Sequence, residues 1–510
     1  MWRPPYRPLA WAVWLSTLMH CPKAPLPRPR SRRYAEDFDV INLNFIATPA
    51  RLLGWLPGAI LSVALATVPG LAQAQTPAQT PAQTPASAEQ IKRGAYLATA
   101  ADCAACHTVP KTGKPFAGGY GIDSPLGTIY SSNITPSKNG GIGSYTEAQF
   151  ERALRDGVRA DGAHLYPAMP YTSYAKLSDD DVQALYAYFM QGVPAVDGAA
   201  PKTALPFPFN LRFTMAGWNL LFLDHSRFKP EPAQSVAWNR GAYLVGALEH
   251  CSACHTPRNA FMAEQGGNPL AGGQLGAWYA PNLTSDPVSG LGGWSQAEMV
   301  QYLRSGQLAG RAQAAGPMAE AVQDSLQYLT DDDLNAIATY LKTVPAIHLA
   351  HETQAPYTFG AAANDEVLLR GTSPVSDSNI PLNPAELFSA NCASCHQAKG
   401  LGTPDQYYPS LAHNTALGHA NPSNLVAVIL HGVDRTVDGH AVFMPGFGAD
   451  SLVNPLSDEE IAAVSNYTLQ RFGNPAVRVS AADVAQARNG GPPPLLARVS
   501  AWLRRIAHFL

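Results

Sequence analysis

One pentapeptide pattern, met three times, restricts this chain more than any bulk property. The copies are Cys103-Ala104-Ala105-Cys106-His107, Cys251-Ser252-Ala253-Cys254-His255 and Cys392-Ala393-Ser394-Cys395-His396. Random placement of 7 cysteines and 14 histidines among 510 residues yields on the order of 0.003 such pentapeptides. Cys-x-x-Cys-His is the attachment signature of a c-type haem. The two sulfurs add to the vinyl groups of one porphyrin, and the adjacent imidazole is held under its iron. A bare Cys-x-x-Cys also suits a redox dithiol or half a zinc site, but neither calls for a histidine after every second cysteine. Six of the 7 cysteines are consumed in this way, and Cys21 alone remains, so no pair is left for a structural disulfide.

The chain repeats itself around these motifs. Arg93-Gly94-Ala95-Tyr96-Leu97 precedes the first and Arg240-Gly241-Ala242-Tyr243-Leu244 the second. Ala117-Gly118-Gly119 matches Ala271-Gly272-Gly273, and Asn133-Ile134-Thr135 matches Asn282-Leu283-Thr284. A third, more distant copy opens on Asn383-Pro384-Ala385-Glu386, a helix start with cap, first-turn proline and third-position acid. Each copy also ends on a helical pattern. Ser178 leads Val182, Leu185, Tyr186 and Phe189; Thr330 leads Leu334, Ile337, Ala338 and Leu341; Ser457 leads Ile461, Val464, Tyr467 and Thr468. Helix, attachment motif, irregular loop and closing helix describe the small all-α cytochrome c fold, in which the last helix must cross the first to close over haem. We therefore expect three tandem cytochrome c domains at 89–195, 235–350 and 381–475. An extended connector at 196–234 and an extended linker at 351–380 would join them. The length, at about 150 residues per domain, agrees.

A proximal histidine (His107, His255 or His396) leaves one iron position open. In this fold a methionine from a later loop usually takes it, its softer sulfur raising the potential relative to a second histidine. Met169 lies 62 residues after His107 and Met318 lies 63 after His255, a near-identity across repeats. Met444 lies 48 after His396 and is the only methionine of its module. Pro170, Pro317 and Pro445 stand beside the three and stiffen the loops. Met190 and Met299 fall on helical patterns and read as core or helix-end residues; Met262 is too near His255 to loop over a haem. His164, His250, His413, His419, His431 and His440 read as ordinary loop histidines, although His431 or His440 could serve a bis-histidine site in the third module. The two Asn-x-Thr triplets match glycosylation acceptors, but their equivalent loop positions favour packing or hydrogen bonding near a haem propionate.

The ends differ from the body. Residues 1–74 read as leader and signal peptide: basic Arg51, an apolar stretch from Leu52 to Leu71, and a small-x-small cleavage site at Ala72-Gln73-Ala74. Its distance from residue 1 suggests a start codon assigned too far upstream. A Thr/Pro/Ala/Gln tract at 75–88 reads as a tether. The tail at 476–510 contains Pro492-Pro493-Pro494 and then an amphipathic helix. Leu495, Leu496, Val499, Trp502, Leu503, Ile506 and Phe509 lie on one face, with Arg498, Arg504 and Arg505 on the other. That pattern suits a membrane interface or a partner subunit.

From residue 75 onward 27 basic residues face 35 acidic ones, which argues against nucleic acid as a partner. No dinucleotide fingerprint or hydrolase triad is legible, and no stretch is left for a flavin domain. The mature chain from about 89 to 475 resembles the triple-haem cytochrome c subunits of membrane-bound bacterial dehydrogenases for alcohol, gluconate, fructose or sorbitol, and aldehyde. The resemblance rests on Gly127-Thr128-Ile129-Tyr130-Ser131-Ser132-Asn133-Ile134-Thr135-Pro136, Leu165-Tyr166-Pro167-Ala168-Met169-Pro170-Tyr171 and Cys254-His255-Thr256-Pro257-Arg258. It implies three covalent haem c groups and an electron-transfer subunit that is no enzyme by itself. It also implies a place on the periplasmic side of the cytoplasmic membrane, a large flavin or pyrroloquinoline quinone (PQQ) catalytic subunit with a small subunit, and ubiquinone as acceptor. A cytochrome partner for a molybdenum hydroxylase is the alternative. A haem peroxidase needs an open iron position, and three available methionines argue against it.

Overall fold

A computed structural model describes residues 85–124, 126–363 and 383–491, all within one compact unit. The expected signal peptide, most of the Thr/Pro/Ala/Gln tract, residues 364–380 of the second linker and the expected amphipathic tail helix lie outside the described residues.

Each module opens on a capped helix. Ser87 accepts from the Gln90 amide ahead of Ala88–Ala100, Ser235 from Trp238 ahead of Val236–Tyr243, and Asn383 from Ala385 and Glu386 ahead of Pro384–Asn391. The closing helices Asp179–Ala187, Asp331–Leu341 and Asp458–Phe472 are capped by Ser178, Thr330 and Ser457, and their expected apolar faces point inward. Opening and closing helices cross in every module. The crossing explains one repeated glycine. A Cβ on Gly94 would sit 2.0 Å from the Ala184 carbonyl oxygen, and one on Gly241 would sit 2.0 Å from that of Ala336. Only hydrogen fits where two helix backbones touch. The third module crosses through aromatic packing instead, with Phe388 stacked 5.4 Å from Tyr467 and 5.5 Å from Phe472.

The fold is mostly helical, as expected, with short strands the sequence did not show. The described residues contain four two-stranded antiparallel ribbons, among them Gly121–Ser124 with Gly127–Tyr130, Gly273–Leu275 with Trp278–Ala280, and Val433–Val437 with His440–Met444. These strands are two to five residues long, too short for an alternating pattern to show in sequence. The connector is not simply extended: Thr214–Phe222 is a helix, and Asn219 ties it back by accepting from Tyr171 and donating to the Asp156 carbonyl.

One continuous apolar core runs through the first and second modules, while the third has its own, joined by Ala277 and Trp278 of the second module. The third module docks through the Val433–Val437 strand. Arg435 is fully buried there, donating to the Ala314 carbonyl at 2.7 Å and to Gln313 at 3.0 Å. Gln323 accepts from the Thr436 amide, and Gln327 both donates to the Thr436 carbonyl and accepts from the Asp438 amide. Gln323 belongs to helix Pro317–Asp324, whose acidic side chains, Glu320 and Asp324, act on Asp102 beside the first attachment motif.

Candidate haem-binding sites

The three motif histidines stand in one geometry. Each ends a short helix, Cys103–His107, Ser252–His255 or Ala393–His396. His107 Nδ1 lies 2.7 Å from the Ser132 carbonyl, His255 Nδ1 2.6 Å from that of Pro281, and His396 Nδ1 2.9 Å from that of Pro409. A carbonyl only accepts, so Nδ1 carries the hydrogen and Nε2 keeps its lone pair free for a metal. Burial lowers all three histidine pKa values against the opposing pull of the carbonyl, so the rings are neutral.

The loops that hold this arrangement explain the repeats. Gly118 donates to the His107 carbonyl at 2.8 Å, Gly272 to that of His255 at 2.7 Å, and Gly402 to that of His396 at 3.0 Å. Thr108 and Thr256 side chains accept from Phe116 and Leu270. The residue after the carbonyl that holds each of the first two histidines is the asparagine of Asn-x-Thr. Asn133 accepts from the Thr135 amide and donates to the Val196 and Gly198 carbonyls. Asn282 accepts from Thr284 and donates to the Ile347 carbonyl. Both are buried, with their amide hydrogens engaged by the chain that leaves the closing helix. The triplets therefore staple each loop to the module's exit.

The six motif cysteines are free thiols, with no disulfide among the described residues. Burial pushes Cys103, Cys106 and Cys392 up to about 12 and raises Cys251 and Cys254 as well. Such thiols are not exposed redox nucleophiles. Paired, half-buried sulfurs beside a neutral imidazole with a free Nε2 fit a porphyrin-bound iron; nothing in this donor set conflicts with one.

The expected methionines come from three different local structures. Met169 sits in the turn between Tyr166 and Tyr171, Met318 in the first turn of Pro317–Asp324, and Met444 at the end of His440–Met444. Met169 and Met318 pack on the core that the first two modules share, as do Cys103 and Cys251, and Met444 packs on the third module's core with Cys392. Met299 is core, Met190 lies in the π turn Tyr188–Gly192, and Met262 occupies a left-handed turn position. Among the other histidines, His419 is buried against Glu352 at 2.9 Å, and His413 faces the Tyr357 carbonyl. His250 is half-buried edge-on to Tyr174, where desolvation drives its pKa to about 4. His431 faces Trp278, and His440 is exposed at a strand start.

A seam invisible to sequence reading joins the first two modules. Arg93 binds Asp181 and Arg240 binds Asp333, each within its own module. Tyr243 of the second module donates to Asp181 of the first at 2.5 Å, and Tyr96 of the first donates to Asp333 of the second at 2.6 Å. The two Arg-Gly-Ala-Tyr-Leu segments thus exchange tyrosines reciprocally. Next to this seam Glu249 is buried beside Ser325, and Asp102 Oδ1 is buried without a hydrogen-bond partner. The recurrence of the pentapeptide was the available signal; the partners are not local.

A cytochrome c family model matches residues 91–192, 239–345 and 383–471. The chain belongs to the cytochrome c family. It is 50% identical over 413 residues to the fructose dehydrogenase cytochrome subunit of Gluconobacter japonicus, covering 80% of this chain and 85% of that protein. It is 39% identical over 444 residues to the cytochrome c subunit of alcohol dehydrogenase (quinone) from Gluconacetobacter polyoxogenes, covering 85% and 90%. A nicotinate dehydrogenase subunit of Pseudomonas putida is 42% identical over 437 residues, but the match spans only 34% of that protein. This cytochrome is therefore of the dehydrogenase-subunit type, an electron-transfer component with covalently bound haem. No helix among the described residues is long and apolar enough to cross a membrane.

Proposed function

We propose that this cytochrome carries three haem c groups and relays electrons from a periplasmic dehydrogenase catalytic subunit to ubiquinone. The partner subunit would use flavin or PQQ to oxidise a sugar, sugar acid, alcohol or aldehyde. The observation that carries the reading is the threefold recurrence of one donor set: a half-buried cysteine pair, a neutral histidine anchored at Nδ1, and a methionine packed on a core that a motif cysteine also joins. Bound haem supplies one-electron chemistry. The chain supplies the rest: Cys103 and Cys106, Cys251 and Cys254, and Cys392 and Cys395 fix the group. Ser132, Pro281 and Pro409 would aim the imidazoles, and Met169, Met318 and Met444 would supply the further ligand to the iron. Six-coordinate sites change charge with little rearrangement and exclude small ligands, which suits a relay.

A fructose-type partner is the first to examine, given the 50% identity over most of both chains. The likeness to a nicotinate dehydrogenase subunit keeps the cytochrome subunit of a molybdenum hydroxylase acting on N-heterocycles as a second reading. The decisive experiment is mass measurement and redox titration of the mature protein and of Met169→Ala, Met318→Ala and Met444→Ala. Three added haems are expected, and each variant should turn one site into an open form of lower potential. Three unchanged potentials, or a different haem count, refute the assignment.

A further inference from the structure

Trp278 lies between the two methionine loops of the second and third modules. It opens the strand Trp278–Ala280, and the residue that follows this strand, Pro281, supplies the carbonyl that holds His255. One face of its indole presses on Gly316. A Cβ there would lie 2.4 Å from Trp278 Cε2, and Gly316 takes a left-handed φ of 51°. Gly316 caps the helix in which Met318 is the second residue. On the other side Trp278 meets the His431 ring, with centroids 6.2 Å apart and planes tilted by 38°. His431-Gly432 runs against the end of the Met444 strand: Val433 pairs with Met444, and a Cβ on Gly432 would meet the Met444 carbonyl oxygen at 2.3 Å. Trp278 and Met444 both pack on the third module's core, although Trp278 belongs to the second. Asn424 fixes the strand by accepting from the Tyr279 amide at 2.9 Å and donating to its carbonyl at 2.8 Å.

Chain bonds and close approaches therefore link Met318 through Pro317 and Gly316 to Trp278, and His431 through Gly432 to Met444, with the neighbouring Trp278 and His431 rings between the two segments. The seam between the first two modules is built differently, with tyrosines that engage carboxylates.

We propose that Trp278 is the bridging side chain that couples electron exchange between the second and third modules. The inference rests on both modules holding haem, as proposed above. In each exchange one electron leaves one module and enters the other; Trp278 is neither oxidised nor reduced, and no proton moves. Trp278 is a positioning and coupling residue, not a catalytic one.

The test uses the full-length holoprotein. One electron is injected by photoreduction, and its redistribution among the sites is followed by absorbance, in wild type, Trp278→Phe and Trp278→Leu. Trp278→Leu should lose most of the rate of the phase in which the second and third modules exchange an electron, and Trp278→Phe, which keeps an aromatic ring, should restore most of it. Haem content and the three potentials should stay at wild-type values in both. Unchanged redistribution in Trp278→Leu overturns the proposal. So does a slowing that comes with shifted potentials in both variants, because that marks a packing role. A wild-type sample without three haems refutes the functional assignment instead, before any variant is compared.

Discussion

Removing one hydroxyl from each side of the seam between the first two modules should have unequal effects. Tyr243 donates to Asp181 Oδ2, whereas both hydrogen bonds from Arg93 go to Oδ1. Tyr243→Phe thus leaves Oδ2 of a carboxylate whose side chain is only 3% exposed without its donor. Tyr96 donates to Asp333 Oδ2, but Arg240 Nη2 also binds that oxygen at 2.7 Å, so Tyr96→Phe leaves it partnered. Burial raises the pKa of both tyrosines, and the neighbouring carboxylate adds to it, so both hydroxyls remain donors across the working range. A hydrogen bond to a charged group contributes about 1.5–3 kcal/mol net, and an orphaned buried acceptor keeps its full desolvation cost. Tyr243→Phe should therefore destabilise by about 2–3 kcal/mol and Tyr96→Phe by about 1 kcal/mol. Equilibrium urea unfolding of the holoprotein, read at the transition that includes the first two modules, measures both. Equal losses, or a larger loss for Tyr96→Phe, would refute the assignment of partners.

Two further outcomes concern the buried carboxyl beside this seam and the helix crossing within the second module. Burial and the nearby Asp102 hold the Glu249 carboxyl well above its ordinary value, so the folded state keeps a proton that the unfolded chain releases. Its contribution is complete below the ordinary glutamate pKa and is lost as pH rises towards the folded value. Glu249→Gln should flatten that fall in stability above about pH 4.5, and an unchanged slope counts against it. Gly241→Ala places a methyl group 2.0 Å from the Ala336 oxygen and should cost about 3 kcal/mol or more, read as a lower melting temperature with reduced haem incorporation.

What was legible in sequence is what is local. Ser178, Thr330 and Ser457 could be named as caps because a cap and its amide lie three residues apart. The motif histidines and their methionines were visible through fixed or repeated spacing. The carbonyls that hold the histidines were not, since any residue supplies one. Tyr96 meets Asp333 across 237 positions, and no periodicity encodes such a pair. Asp181 and Asp333 stood at the position of a capping-box acid, yet their carboxylates turn away to arginine and tyrosine. Only Ser457 with Glu460 forms the reciprocal box among these three closing helices. Asp102 and His250, at φ of 51° and 41° just before the first motif cysteines, carry no sequence mark of their left-handed backbone.

The helix Pro317–Asp324 is eight residues long and answers to all three modules. Met318 faces its own core, Gln323 receives the Thr436 amide, and Glu320 and Asp324 act on Asp102. Although the gene reads like beads copied along a string, this segment no longer drifts as one bead. A substitution here is judged by three neighbours at once, so descendants of this chain should exchange whole triplets of units more easily than single ones.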